Sequence, residues 1–165
     1  AVSYAAATNT LNVHVMAGFA TGKDAHDTFI GNLRYASNAA REQGITVLIE
    51  PLNHYDAPGY FLNTSTQGAA VIDELGVDNV KLMFDCYHLQ IMEGDISRRL
   101  AAMLPLIGHI QFAGVPDRGD PAQGELDYRH VFEVIAGLGY DAPLGAEYKP
   151  SGATADSLGW MTTLR

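Results

Sequence analysis

Four residues in this sequence share a chemistry and a setting. Glu50, Asp85, Gln111 and Glu147 each carry side-chain oxygen, and each closes a short apolar run: Thr46–Ile49, Val80–Phe84, Ile107–Ile110 and Pro143–Ala146. Oxygen donors suit a hard divalent cation such as Mg²⁺ or Mn²⁺, with water or substrate completing its shell. Without a cation, three carboxylates brought together would repel and be partly neutralised by raised pKa values. Any one of them alone could be a solvated strand-end carboxylate or a helix cap. Their recurrence at the exit of successive apolar strands favours a shared site. His88 lies three residues beyond Asp85 and could hydrogen-bond a substrate oxygen or simply meet water at a loop. Arg118 could grip a substrate carboxylate in a bidentate fork or form a loop salt bridge. Lys149 reads as a surface lysine, although it could neutralise developing charge. His14 and His109 sit within apolar strands and read as core histidines. Cys86 has no apparent base partner and reads as packing.

Positioning these residues requires parallel strands. Leu11–Gly18 reads as a strand, followed by a helix over 24–43 with Asp24 as N-cap and Gly44 as its stop. The second strand ends at Glu50 because Pro51 biases it towards an extended backbone and cannot donate to a ladder. Thr64-Ser65-Thr66-Gln67 resembles a capping box, and the helix it opens runs to Leu75 before Gly76. The strand 80–85 precedes a helix capped by Asp95 and ended by Pro105. The strand 107–113 precedes a long loop and a helix capped by Asp127. The strand 143–148 precedes a closing helix over 153–164. Five βα units of roughly 30 residues predict a parallel sheet, because such strands need crossover connections.

An open doubly wound sheet and part of a (β/α)8 barrel look alike at this level. Neither G-x-G-x-x-G nor a P-loop occurs, which removes the usual nucleotide fingerprints. H-E-x-x-H and G-x-S-x-G are also absent, against zincin and α/β-hydrolase chemistry. The fold class expected is α/β, with an open sheet and a (β/α)8 TIM barrel both still possible; a closed barrel takes about 250 residues and this chain has 165, so a barrel here would be partial.

Hydrophobic residues make up 47% of the chain, a globular composition. No apolar run reaches the roughly 18 residues of a membrane span. The start lacks a basic and apolar leader, so no signal peptide is expected. The missing initiator Met hints at a start inside a larger gene product. The formal net charge of −9 argues against nucleic acid as a partner. The single cysteine excludes a disulfide framework and suits a reducing cytosol, so a cytoplasmic location is expected.

Several blocks resemble the hydroxypyruvate isomerases. Ile49-Glu50-Pro51-Leu52-Asn53 with Pro58–Thr64 looks like their E-P-x-N and following loop. Phe84-Asp85-Cys86-Tyr87-His88-Leu89-Gln90 with Met92-Glu93-Gly94-Asp95 resembles their D-x-Y-H-x-Q and E-G-D stretch. His109-Ile110-Gln111, Gly124–Tyr128 and Gly145–Pro150 are similar to further segments. Val13–Gly18, Ala113–Arg118 and Leu158-Gly159-Trp160 look closer to the related 2-oxo-tetronate isomerases. The resemblance implies the xylose-isomerase-like barrel superfamily, with residues 1–165 forming one domain that supplies strands four to eight and lacks the first three. It implies Glu50, Asp85, Gln111 and Glu147 as ligands of Mg²⁺ or Mn²⁺, Glu50 and Glu147 as the acid–base pair, and His88 as a substrate contact, with Arg118 added as the group for a substrate carboxylate. The activity implied is interconversion of hydroxypyruvate and tartronate semialdehyde, or of a close 2-oxo-tetronate, through a cis-enediolate. A ketose 3-epimerase of the same superfamily, a nuclease of that superfamily, and a non-catalytic partial barrel are the alternatives. Missing strands would expose sheet edges, so association into homo-oligomers through them is expected.

Overall fold

The computed structural model describes residues 1–164. Helix α1 (Val2–Ala7) leads into β1 (Asn12–His14), α2 (Gly22–Arg41), β2 (Thr46–Ile49), α3 (Ser65–Leu75) and β3 (Val80–Asp85). Then follow α4 (Cys86–Met92), α5 (Ile96–Met103), β4 (Ile107–Phe112), α6 (Tyr128–Gly137), β5 (Leu144–Ala146) and α7 (Trp160–Thr163). The strands form one parallel sheet in the order β1-β2-β3-β4-β5. A doubly wound sheet reverses its strand order at a switch point. Here each new strand adds to the same side of its predecessor, as in a curling (β/α)8 barrel.

Side chains of a strand alternate between its faces. Val13, Val15, Val47, Ile49, Val80 and Leu82 pack with α2 and α3 in one core cluster around Phe29, Leu33, Val71 and Leu75. Phe84, Ile110, Phe112 and Leu144 join a second cluster with α5 and α6 around Leu100, Tyr128, Val131 and Ile135. Full burial of each such side chain contributes about 1.5–3 kcal/mol. The residues of opposite parity, within the strands or just past their ends, therefore face the inside of the curl: His14, Glu50, Asp85, Gln111 and Glu147. Asp85 stands directly opposite Gln111 after a register shift between Leu82 and Met83. The ladder also runs past the short outer strands, since Val15 N donates to Leu48 O at 2.9 Å and Glu147 N to Phe112 O at 3.1 Å.

Several helix ends agree with the sequence. Thr64 accepts from Gln67 N, Asp127 accepts from Arg129 N, and Gly76 closes α3 in the left-handed region. Others differ. Helix α2 starts at Gly22 after Thr21, so Asp24 lies in its first turn, where a carboxylate still meets the helix dipole favourably. Asp95 precedes α5 but makes no capping bond; its backbone is left-handed and its side chain turns to Arg98 at 3.2 Å. The expected helix over 153–164 is broken into a 3₁₀ turn at Thr154–Ser157 and the short α7. Neither piece buries a residue fully; α7 packs chiefly through half-buried Trp160 against Phe112, and so short a packed face holds little helix. Helix α4 was not expected at all. It begins directly after Asp85, with no loop, and Asp85 Oδ1 caps it by accepting from Tyr87 N at 2.8 Å. No helix among the described residues is long and apolar enough to cross a membrane.

One buried pin reaches the site. Tyr128, at the start of α6, donates to Ala113 O at 2.7 Å, and its oxygen accepts from Ala113 N at 3.3 Å. This fixes the chain two residues beyond Gln111. Tyr128→Phe leaves both backbone groups unpaired in the interior, and a loss of about 1–3 kcal/mol is expected in urea unfolding. A change below about 0.3 kcal/mol would mean that the pin carries no stability.

Candidate metal centre

Five side chains from five successive strands line a pocket of about 500 Å³ or its floor: His14, Glu50, Gln111 and Glu147 on the wall, and fully buried Asp85 beneath. His88, Asp56 and Arg118 also line it, with apolar Met16, Leu52, Ala57 and Met83. What distinguishes this place is unmet hydrogen-bonding capacity. Glu50 Oε1, Asp85 Oδ2, Gln111 Oε1, His14 Nε2 and His88 Nε2 are all buried and all lack a partner. Buried polar groups are ordinarily paired, since an orphan costs about 1–3 kcal/mol. A cluster of oxygen orphans on one face is what a divalent cation would satisfy. Glu50, Asp85 and His88 each offer a ligand atom within 4.8 Å of the others, a group that could hold a metal ion.

The hydrogen bonds of His88 decide its part in this group. Its Nδ1 accepts from the backbone N–H of Asn53 at 3.1 Å and from Asn53 Nδ2 at 2.8 Å. A neutral imidazole whose Nδ1 accepts carries its proton on Nε2. That nitrogen, 3.8 Å from Asp85 Oδ2, is therefore a donor and has no lone pair for a cation. Burial, with the Arg118 charge adding to it, pushes the His88 pKa down to about 4, so the ring is neutral. Asn53 is itself held by accepting from Tyr55 N and Asp56 N. The oxygen donors Glu50, Asp85 and Gln111 remain as the convergent set.

Glu147 stands apart. Its side chain is half exposed, and its Oε2 meets Arg118 Nη2 at 2.9 Å. The Arg118 guanidinium also reaches Asp56 Oδ2 at 3.4 Å and lies 4.0 Å from Asp85 Oδ2, over the face of Tyr87. Arg118 has a left-handed backbone, and its carbonyl accepts from Lys149 N at 2.7 Å, which ties its loop to the end of β5. Lys149 is exposed and meets this site through its backbone.

The carboxyls are electrostatically crowded. Burial, then the charges of Asp85 and Glu147, push the Glu50 pKa up to about 8, with Arg118 opposing. Burial likewise raises Asp85 to about 7, against the Tyr87 N–H and Arg118. A double positive charge placed between them would reverse both shifts.

His14 belongs to this site rather than to the core. Its Nε2 lies 3.7 Å from Glu50 Oε2, and burial lowers its pKa while the Glu147 charge opposes. The signal was present in the alternation Val13-His14-Val15, which puts His14 on the face opposite two packed valines. His109 is half-buried, with its ring against Gly145. His26 lies on the surface against Glu74, at 3.0 Å. Cys86 is fully buried and free, as expected of a packing residue.

Known proteins share this arrangement of elements. The 2-oxo-tetronate isomerase of Cupriavidus necator is 48% identical over 165 residues, covering 98% of this chain and 64% of that protein. The hydroxypyruvate isomerase of Escherichia coli is 38% identical over 170 residues, covering 100% of this chain and 66% of that protein. The chain thus spans slightly less than two thirds of each. A crystal structure described as AP endonuclease, family 2 from Brucella melitensis superposes with a TM-score of 0.94 at 39% identity, over 99% of this chain and 65% of that one. The family profile described as xylose isomerase-like TIM barrel matches residues 1–164, and the chain belongs to that family.

Proposed function

We propose that the protein is a metal-dependent isomerase of a short α-hydroxycarbonyl acid, hydroxypyruvate or a 2-oxo-tetronate. The observation that carries this reading is the convergence of unpartnered oxygens from Glu50, Asp85 and Gln111 on one face of the sheet. The names of the two curated relatives supply the substrate class. We read the chain as strands four to eight of one barrel domain that assembles as a homo-oligomer, and the buried thiol of Cys86 suits a cytoplasmic setting.

Glu50, Asp85, Gln111 and Glu147 would hold Mg²⁺ or Mn²⁺, which when bound polarises the substrate's adjacent carbonyl and hydroxyl oxygens. One glutamate of the Glu50–Glu147 pair takes the proton from the hydroxyl-bearing carbon, giving an enediolate. The other returns a proton to the neighbouring carbon. For hydroxypyruvate, a proton leaves C3 and one arrives at C2, while the hydroxyl proton passes from the C3 oxygen to the C2 oxygen. No electrons leave the substrate, so no redox partner is needed. The His88 Nε2–H donates to a substrate oxygen from a ring that Asn53 holds in place.

Arg118 receives the substrate carboxylate. Glu147 would leave Arg118 for the cation, and the guanidinium would then take the substrate carboxylate in its place. Arg118→Ala is expected to raise KM for hydroxypyruvate about 10- to 100-fold, as loss of a charge-assisted hydrogen bond does. An unchanged KM would remove Arg118 from the substrate site. Turnover of hydroxypyruvate, a 2-oxo-tetronate and a neutral ketohexose, each with Mn²⁺, tests the reading as a whole. Activity confined to the ketohexose would point to epimerase chemistry instead.

A further inference from the structure

The surroundings of Glu50 leave one role unfilled. This carboxylate is nearly buried, yet Oε1 has no hydrogen-bond partner. Ligating carboxylates are ordinarily steadied by a hydrogen bond to the oxygen that does not face the metal. Among the described residues the available donors are mostly committed. Arg118 is taken up by Asp56 and Glu147. The Nε2–H of His88 is unpartnered too, but it lies towards Asp85 Oδ2, at 3.8 Å, and serves the substrate in the proposed reaction. The Tyr60 hydroxyl accepts from Ala17 N at 2.7 Å and points at Met16 Sδ. His14 alone has a buried nitrogen without a partner beside Glu50 Oε2, and it is the only ion-pair partner within 4.0 Å of that carboxylate among the described residues.

We propose that His14 is a positioning residue for Glu50, donating its Nε2–H to Glu50 Oε2 and leaving Oε1 to the cation. The inference rests on the reading of Glu50 as a cation ligand and proton-transfer group. The present separation of 3.7 Å exceeds a hydrogen bond by about 0.7 Å. A small rotation of either side chain closes it, and a carboxylate oxygen is a strong acceptor for an N–H. The backbone is set for this. His14 pairs with Leu48 in the ladder, and Val15 N is bonded to Leu48 O, so the end of β1 is fixed beside the end of β2.

His14→Phe and His14→Gln in the full-length protein separate a hydrogen-bonding role from a packing one. Phe fills the space without a donor, and Gln supplies an N–H. Mn²⁺ affinity, read from the electron paramagnetic resonance signal of free Mn²⁺, is expected to fall about tenfold or more in His14→Phe and to stay within about threefold in His14→Gln. The kcat on hydroxypyruvate is expected to follow the same order, with KM little changed. Melting in EDTA controls for folding. Nitrogen-15 NMR of the parent with Mg²⁺ is expected to find the His14 proton on Nε2. Parent-like Mn²⁺ affinity in His14→Phe, equal damage in both variants, or a proton on Nδ1 would each overturn the assignment of His14 while leaving the cation site standing. A parent protein that binds no Mn²⁺ would remove the cation site itself, and this inference with it.

Discussion

Glu50→Gln is expected to lower kcat on hydroxypyruvate by about 10⁴-fold, the upper range for loss of a general base. The amide keeps the volume and one oxygen for a cation, so Mn²⁺ binding should weaken but persist. What is lost is the group that accepts the proton. The same substitution should have the opposite effect on the metal-free fold. A carboxyl buried beside Asp85 and held up at a pKa of about 8 is costly to ionise, and an amide has no such cost. Metal-free Glu50→Gln is therefore expected to melt higher than the parent at pH 8 and to match it at pH 5. A variant that loses activity and also melts lower at pH 8 would point to a structural Glu50 rather than a strained functional one.

The second large effect is linkage between protons, cation and stability. Glu50 and Asp85 rise from ordinary values of 4.5 and 3.8 to about 8 and about 7 in the folded chain. Between pH 4 and those values the folded state keeps protons that the unfolded state has lost. Stability then falls as pH rises, because its slope follows protons bound in the unfolded state minus those in the folded state. The metal-free protein is expected to lose about 5 °C or more of melting temperature between pH 5 and 8. Mn²⁺ should restore it, since ligation requires the ionised carboxylates. Titration at pH 6 in buffers of differing ionisation enthalpy should detect about two protons released per cation bound. A flat metal-free profile, or binding without proton release, would show that these carboxyls are already ionised.

The strand ends were the legible part of the site. Glu50, Asp85, Gln111 and Glu147 stand out because a polar side chain at the close of an apolar run has few reasons to be there. The sheet order was not readable from the alternation of elements, since five βα units fit an open sheet as well as a barrel; the family resemblance implied the barrel order that β1 to β5 follow. Helix α4 was hidden because it starts without a loop, and Asp85 acts as strand end and cap at once. His14 was passed over because a histidine between two valines looks like core until one asks which face the valines occupy. The separation of Glu147 from Glu50, Asp85 and Gln111 could not be read either, as its ion pair with Arg118 joins residues 29 apart across two loops. Asn53 lay in view within the E-P-x-N block, but its hold on the His88 tautomer depends on a contact between residues 35 apart.

The direct test of the cation site is a crystal structure of the protein soaked in Mn²⁺, with anomalous scattering used to find the ion. One peak is expected, with oxygens of Glu50, Asp85, Gln111 and Glu147 each about 2.0–2.6 Å away and Glu147 released from Arg118. Those oxygens scattered more than about 6 Å from any common ion would contradict the account.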